Sequence, residues 1–145
     1  MRGDLFRRNR KGFTLVELLV ALAVFAILTA IAYPMYQEQV RKSRRAAVKG
    51  SILQVSQFME RYYTENRSYG DAGGNSLSMN DVYNASIMED PNTVEQYYTL
   101  NLTSNSTAYT ILAVPKSGQS ADVCANLSLL STGVRSTSSN HTGCW

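Results

Sequence analysis

Hydrophobic positions fill one stretch of the chain almost without a break, from Phe13 to Tyr33, and afterwards recur only at intervals. That run is about 21 residues long, enough at 1.5 Å per residue to cross a hydrocarbon core of roughly 30 Å, and it predicts a membrane-spanning helix. Beyond it Val48, Ile52, Val55, Met59 and Tyr62 fall at spacings of four, three, four and three, the stripe of an amphipathic helix with one face in a core. Helix is therefore expected to continue from Gln37 to Asn66, giving with the anchor a spine of about 53 residues, or roughly 80 Å if continuous. Pro34 interrupts it. Proline removes one backbone hydrogen bond and clashes with the preceding turn, so a kink is expected between Ala30 and Pro34. Gly50 is a weaker soft point, since glycine in a helix costs only about 1 kcal/mol relative to alanine.

The pattern then changes. Residues 67–96 are rich in Gly, Ser, Asn and Asp, and Gly70-Asp71-Ala72-Gly73-Gly74-Asn75 reads as turn and loop, with a short helical piece expected around Met79 to Ile87. In Tyr98-Thr99-Leu100-Asn101-Leu102 apolar and polar residues alternate with period two, as in a strand with one buried face. Ser104-Asn105-Ser106-Thr107 reads as a turn, and Tyr109, Ile111 and Ala113 alternate again up to Pro115, which predicts an antiparallel hairpin. Asn126 to Leu130 and Val134-Arg135-Ser136 supply one or two further short strands. The expected fold is α+β: a long N-terminal helix whose second half packs on a small antiparallel sheet.

Charge changes the picture at the start of the chain. Glu17 lies inside the apolar run, and an ionisable group in lipid is costly enough to need a partner or a task. Before the run, Arg2, Arg7, Arg8, Arg10 and Lys11 stand against Asp4 alone, a basic flank that keeps the amino terminus on the cytoplasmic side. No small-residue cleavage site closes the apolar stretch before Pro34, so the segment is expected to be retained.

A short basic leader followed by Gly12-Phe13-Thr14-Leu15-Val16-Glu17 resembles the class III signal of type IV prepilins. The resemblance implies that a prepilin peptidase cuts between Gly12 and Phe13 and methylates the new amino terminus, that Glu17 serves assembly, and that Pro34 kinks the helix. It divides the chain into a cleaved leader (1–12), an assembly helix (13–36) and a periplasmic head (37–145). The head comprises an amphipathic helix (37–66), an αβ-loop (67–96) expected on the fibre surface, and a sheet with a disulfide region (97–145). Ala26 stands where many family members have glycine. The ending, from Cys124-Ala125-Asn126-Leu127-Ser128-Leu129-Leu130 through Gly133-Val134 to Cys144-Trp145, resembles minor pilins of the PilE type. Cys124 and Cys144, beyond a membrane anchor, suit an oxidising periplasm and are expected to pair.

Implied partners are other pilin subunits in a helical filament, the peptidase and an inner-membrane assembly platform, with the chain held in the inner membrane first and in an extracellular pilus afterwards. The whole chain carries 14 basic and 11 acidic residues; without residues 1–12 nine face ten, a net charge of −1, which removes any general argument for nucleic-acid binding. Arg41, Arg45 and Lys49 share one helical face, as Arg41, Lys42, Arg44, Arg45 and Lys49 crowd the start of the head. A solvated face or partners for acids on neighbouring subunits explain them more simply than phosphate contacts, which carry no sequence information.

Two rival readings remain open. A competence-type pilin binding DNA calls for clustered lysine and arginine on the αβ-loop or C-terminal loops, yet only Lys116 and Arg135 are basic after Arg67. A type II secretion pseudopilin calls for a cation site built from acids, where Asp122 stands alone beside the cysteines. For catalysis the single histidine, His141, sits in a Ser/Thr/Asn-rich turn with no partner in sequence, and no metal-ligand or phosphate-loop motif is present, so neither enzyme chemistry nor a cofactor is expected.

Overall fold

A computed structural model describes residues 12–88, 94–139 and 141–145. The basic leader before Gly12 and residues 89–93 of the long loop lie outside them. The elements are helix α1 (Leu15–Asn66), helix α2 (Met79–Asn84), and strands β1 (Tyr98–Ser104), β2 (Tyr109–Pro115), β3 (Leu127–Leu130) and β4 (Arg135–Thr137). Two units share α1, one ending at Gln37 and the other running from Glu38 to Trp145.

In the first unit α1 is apolar all round apart from Glu17, and among the described residues nothing covers it. Its most hydrophobic window has a mean hydropathy of 2.7, and none of that window is buried. A helix apolar all round needs lipid or other protein against it. α1 continues through Pro34, so proline is accommodated inside the helix rather than ending it.

The second unit is built on the stripe. Val48, Ile52, Val55 and Met59 are fully buried, while Tyr62 is partly buried against the same core. Each such side chain withdrawn from water contributes roughly 1.5–3 kcal/mol. Arg67 ends the helix in the left-handed region at φ 56°, with its N–H donating to the Tyr63 carbonyl at 2.7 Å. That geometry satisfies a carbonyl left without a partner at the helix end.

Strand order is β1-β2-β3-β4, all antiparallel. Tyr98, Leu100 and Leu102 of β1, Tyr109, Ile111 and Ala113 of β2, and Leu127 and Leu129 of β3 turn inward to meet the helix stripe. The β1–β2 turn is held by Asn105, whose Oδ1 accepts from the Thr107 and Ala108 amides at 2.9 and 2.8 Å. Both expected strands of the hairpin form, and β1 runs two residues past Leu102 to Ser104.

That extension has a chemical cause. The Ser104 amide donates to Ser76 Oγ (2.9 Å), and the Leu77 amide donates to Ser104 Oγ (2.8 Å), which ties the long loop to the end of β1. The loop is less superficial than its polar composition suggests. Tyr69, Leu77, Met79, Val82, Met88 and Val94 all enter the core. The helical piece within it is shorter than expected and stops at Asn84.

Candidate functional site

Gly12 and Phe13 lie ahead of the first turn of α1 in non-helical chain. Among the described residues nothing lies within 4 Å of where a side chain on Gly12 would sit, and Phe13 is 88% exposed. Among the described residues the Gly12–Phe13 junction thus lies outside the helix and uncovered. Thr14 and Glu17 then close a reciprocal cap: Glu17 Oε2 accepts from the Thr14 amide at 2.9 Å and from its hydroxyl at 2.8 Å, while the Glu17 amide donates to Thr14 Oγ1 at 3.2 Å. The Thr-x-x-Glu spacing is that of a capping box, a signal present in the sequence but overshadowed by the charge of Glu17. One carboxylate oxygen is thus used within the chain. Oε1 makes no hydrogen bond among the described residues.

A second constellation ties the head together. Arg45 lies three residues before Val48 and so extends the buried stripe by one turn, where it is 7% exposed. The solvated-face reading of Arg41, Arg45 and Lys49 therefore fails for Arg45. Its Nε donates to Asp122 Oδ2 at 3.0 Å and its Nη2 to Oδ1 at 2.5 Å, a bidentate pair. Asp122, isolated in the sequence, also accepts from Tyr98 Oη (3.1 Å), Gln119 Nε2 (2.7 Å) and the Cys124 amide (2.9 Å). Burial pushes the Asp122 carboxyl up, but the hydrogen bonds from Arg45, Cys124 and Gln119 overcome it and hold the group below its ordinary value. Arg45 is held above its own by the bond to Asp122. Gln119 also donates to the Arg41 carbonyl at 3.0 Å, so this loop grips α1 at two points.

Cys124 and Cys144 are bonded, with Cα atoms 5.6 Å apart. Trp145 follows, its indole N–H donating to the Ser136 carbonyl at 2.9 Å. Lys49 and Arg135 both lie against its ring, 5.9 and 5.7 Å from the centroid. Partial burial lowers the Lys49 ammonium below its usual range, and the like charges of Arg45 and Arg135 lower it further. Arg44 stacks on Tyr97 at 3.7 Å and donates to the Gly118 carbonyl at 3.1 Å. Arg41 pairs with Glu38 at 3.1 Å. The basic run is thus divided by its surroundings rather than forming one stripe. His141 is exposed.

Comparison with known proteins adds three kinds of finding. A family model described as "Prokaryotic N-terminal methylation motif" matches residues 7–33. Another, described as "Type IV minor pilin ComP, DNA uptake sequence receptor", matches residues 34–128. The type IV wide pilus major component PilA4 of Thermus thermophilus is 37% identical over 62 residues, 43% of this chain and 47% of that protein. The type IV major alpha-pilin of Moraxella bovis is 46% identical over 43 residues, 30% of this chain and 27% of that one. The chain thus spans about half or less of these relatives' length. Among solved structures, the non-core minor pilin PilV of Neisseria meningitidis superposes with a TM-score of 0.51 at 18% identity, over 74% of this chain and 95% of that one, a likeness of fold.

Proposed function

We propose a filament role from one premise: the chain belongs to the type IV minor pilin family whose model spans residues 34–128, behind an N-terminal methylation motif. It is a structural subunit, cut between Gly12 and Phe13, methylated on Phe13, and stored in the inner membrane through its apolar helix. From there it enters a pilus by exchanging lipid for the helices of other subunits, with Pro34 bending the helix. Motor and platform proteins supply the work. A head-to-tail contact repeated with a rise gives an open helical filament.

The observation that carries this reading is the lone charge of Glu17 within the apolar first half of α1, with an exposed Gly12–Phe13 junction ahead of it. Cleavage creates a cationic amine at Phe13, four residues before Glu17. Lone charges at apolar depth cost about 2.5–3.5 kcal/mol on insertion scales, so each gains from an opposite charge. With Oε2 committed to Thr14, Oε1 remains to receive the amine of a neighbouring subunit. Glu17→Gln keeps a carbonyl oxygen that can cap Thr14 but removes the charge. The variant is expected to insert and to be cut to Phe13, as read by intact mass, yet to be depleted at least tenfold from sheared fibres. Wild-type incorporation at matched expression would show that the acid serves the cap alone.

A second reading is favoured by one group of residues. Lys49 and Arg135, held against Trp145, bring a head-helix cation to the C-terminal region, which supports a DNA-holding role of the kind named in the matching family description. Gel-shift titration of the Lys49→Glu/Arg135→Glu variant tests it. Loss of duplex binding relative to the parent protein supports DNA holding, and an unchanged or undetectable parental affinity removes it. For the secretion alternative, Asp122 is already committed to Arg45, which leaves that acid unsuited to a cation site.

A further inference from the structure

Both cysteines are buried, but the backbone around them is held differently. On one side Cys124 is fixed from several directions: its amide donates to Asp122 Oδ1, Asp122 is clamped to α1 by Arg45, and the Asp122 amide donates to the Gln119 carbonyl at 2.9 Å. The next residue, Ala125, is held in the left-handed region at φ 51°, with its amide bonded to the Asp122 carbonyl at 3.1 Å. A non-glycine residue adopts that conformation only where its surroundings impose it. On the other side Cys144 ends a tail rich in Ser, Thr, Asn and Gly, preceded by Gly143 at φ 81°. Beyond β4, of three residues, the described hydrogen bonds include Trp145 to Ser136, Ser138 to Asn126 and Thr137 to Ser139.

We propose that Asp122 is a positioning residue for disulfide formation: its side-chain oxygen accepts the Cys124 amide and sets the backbone of Cys124, so that Cys144 meets a sulfur already in place. In a hydrogen-bonded clamp of this kind one reactant is oriented in advance, which raises the effective concentration of the pair. The chemistry needs a disulfide oxidant, for which oxidised glutathione serves. One protein thiolate attacks it and releases one glutathione thiolate. The second protein thiolate then attacks the protein sulfur of the mixed disulfide and releases the other. The two cysteines lose two electrons and two protons, and the oxidant becomes two thiols. The assignment is independent of the filament role.

The test equilibrates the full chain in detergent micelles with defined mixtures of reduced and oxidised glutathione, then traps free thiols by alkylation. Arg45→Met/Asp122→Leu replaces the ion pair by apolar groups, an exchange that buried pairs often tolerate, but it leaves the Cys124 amide without an acceptor. Arg45→Met/Asp122→Asn retains an acceptor. If Asp122 positions Cys124, the leucine variant, folded by near-UV circular dichroism, loses at least about tenfold in effective thiol concentration, the equivalent of one charge-assisted hydrogen bond. The asparagine variant should stay within about threefold of wild type. Equal losses in both variants, or none in the leucine variant, would overturn the assignment. Should the leucine variant not fold, a folded asparagine variant more than tenfold below wild type would overturn it as well.

Discussion

Asp122 and Tyr98 touch one another and respond to pH from opposite ends. The carboxyl is held below its ordinary value of 3.8, so its contribution is complete above that value in the unfolded chain and is lost as pH falls through the lower folded one. Arg45, which faces it, stays charged throughout. Tyr98 is pushed up to about 12, first by burial and then by the charge of Asp122, and Tyr109 likewise reaches about 12 through burial and its bond to Glu60. A raised phenol favours the folded state below the unfolded value near 10 and loses that advantage as pH rises through about 12. Thermal unfolding of the head is therefore expected to be flat through neutrality, to fall below about pH 3.8 and to fall again above about pH 10. Tyr98→Phe should lessen the alkaline fall while leaving the acid fall in place. A wild-type midpoint that does not change between pH 9 and pH 12 would contradict the assignment to these phenols.

At the scale of elements, the disulfide closes a separation of 20 residues around β3 and β4. Chain-entropy reasoning gives such a link about 3 kcal/mol, and its effect should be regional because the rest of the core is built without it. Cys144→Ser is expected to lower stability by about that amount. Hydrogen exchange should show lost amide protection from Arg135 to Trp145, with protection kept along Val48–Met59 and in the β1–β2 hairpin. Uniform loss across all of these would mean that the link supports the whole sheet. The hairpin was legible because strict alternation of Tyr98, Leu100 and Leu102 against Tyr109, Ile111 and Ala113 fixes which face is buried. The helical stripe was legible because spacings of three and four put its residues on one face. Arg45 was not, since charge hid its place on that stripe, and the acid that pays for its burial lies 77 residues away. The serines that draw the long loop onto β1 gave no local sign either: Ser76 and Ser104 become partners only after the fold brings them together.

For the whole molecule, the family was readable from the first third of the chain, where residue type and spacing are tightly constrained, and the order of elements from the hydrophobic pattern of the rest. The head's cross-connections were not readable, because one carboxylate can serve a helix, a loop amide and a phenol that are far apart in sequence. The uncovered apolar half of α1 has a further consequence. If it anchors the chain in lipid as proposed, such a subunit would have no useful concentration in bulk water, and its supply would be better counted as copies per area of membrane. In the proposed filament role, confinement to a sheet of lipid would fix one end of every molecule at a common depth and limit its search for a growing fibre to two dimensions. Doubling the membrane area at constant copy number would then halve the encounter frequency, although the amount of protein in the cell had not changed.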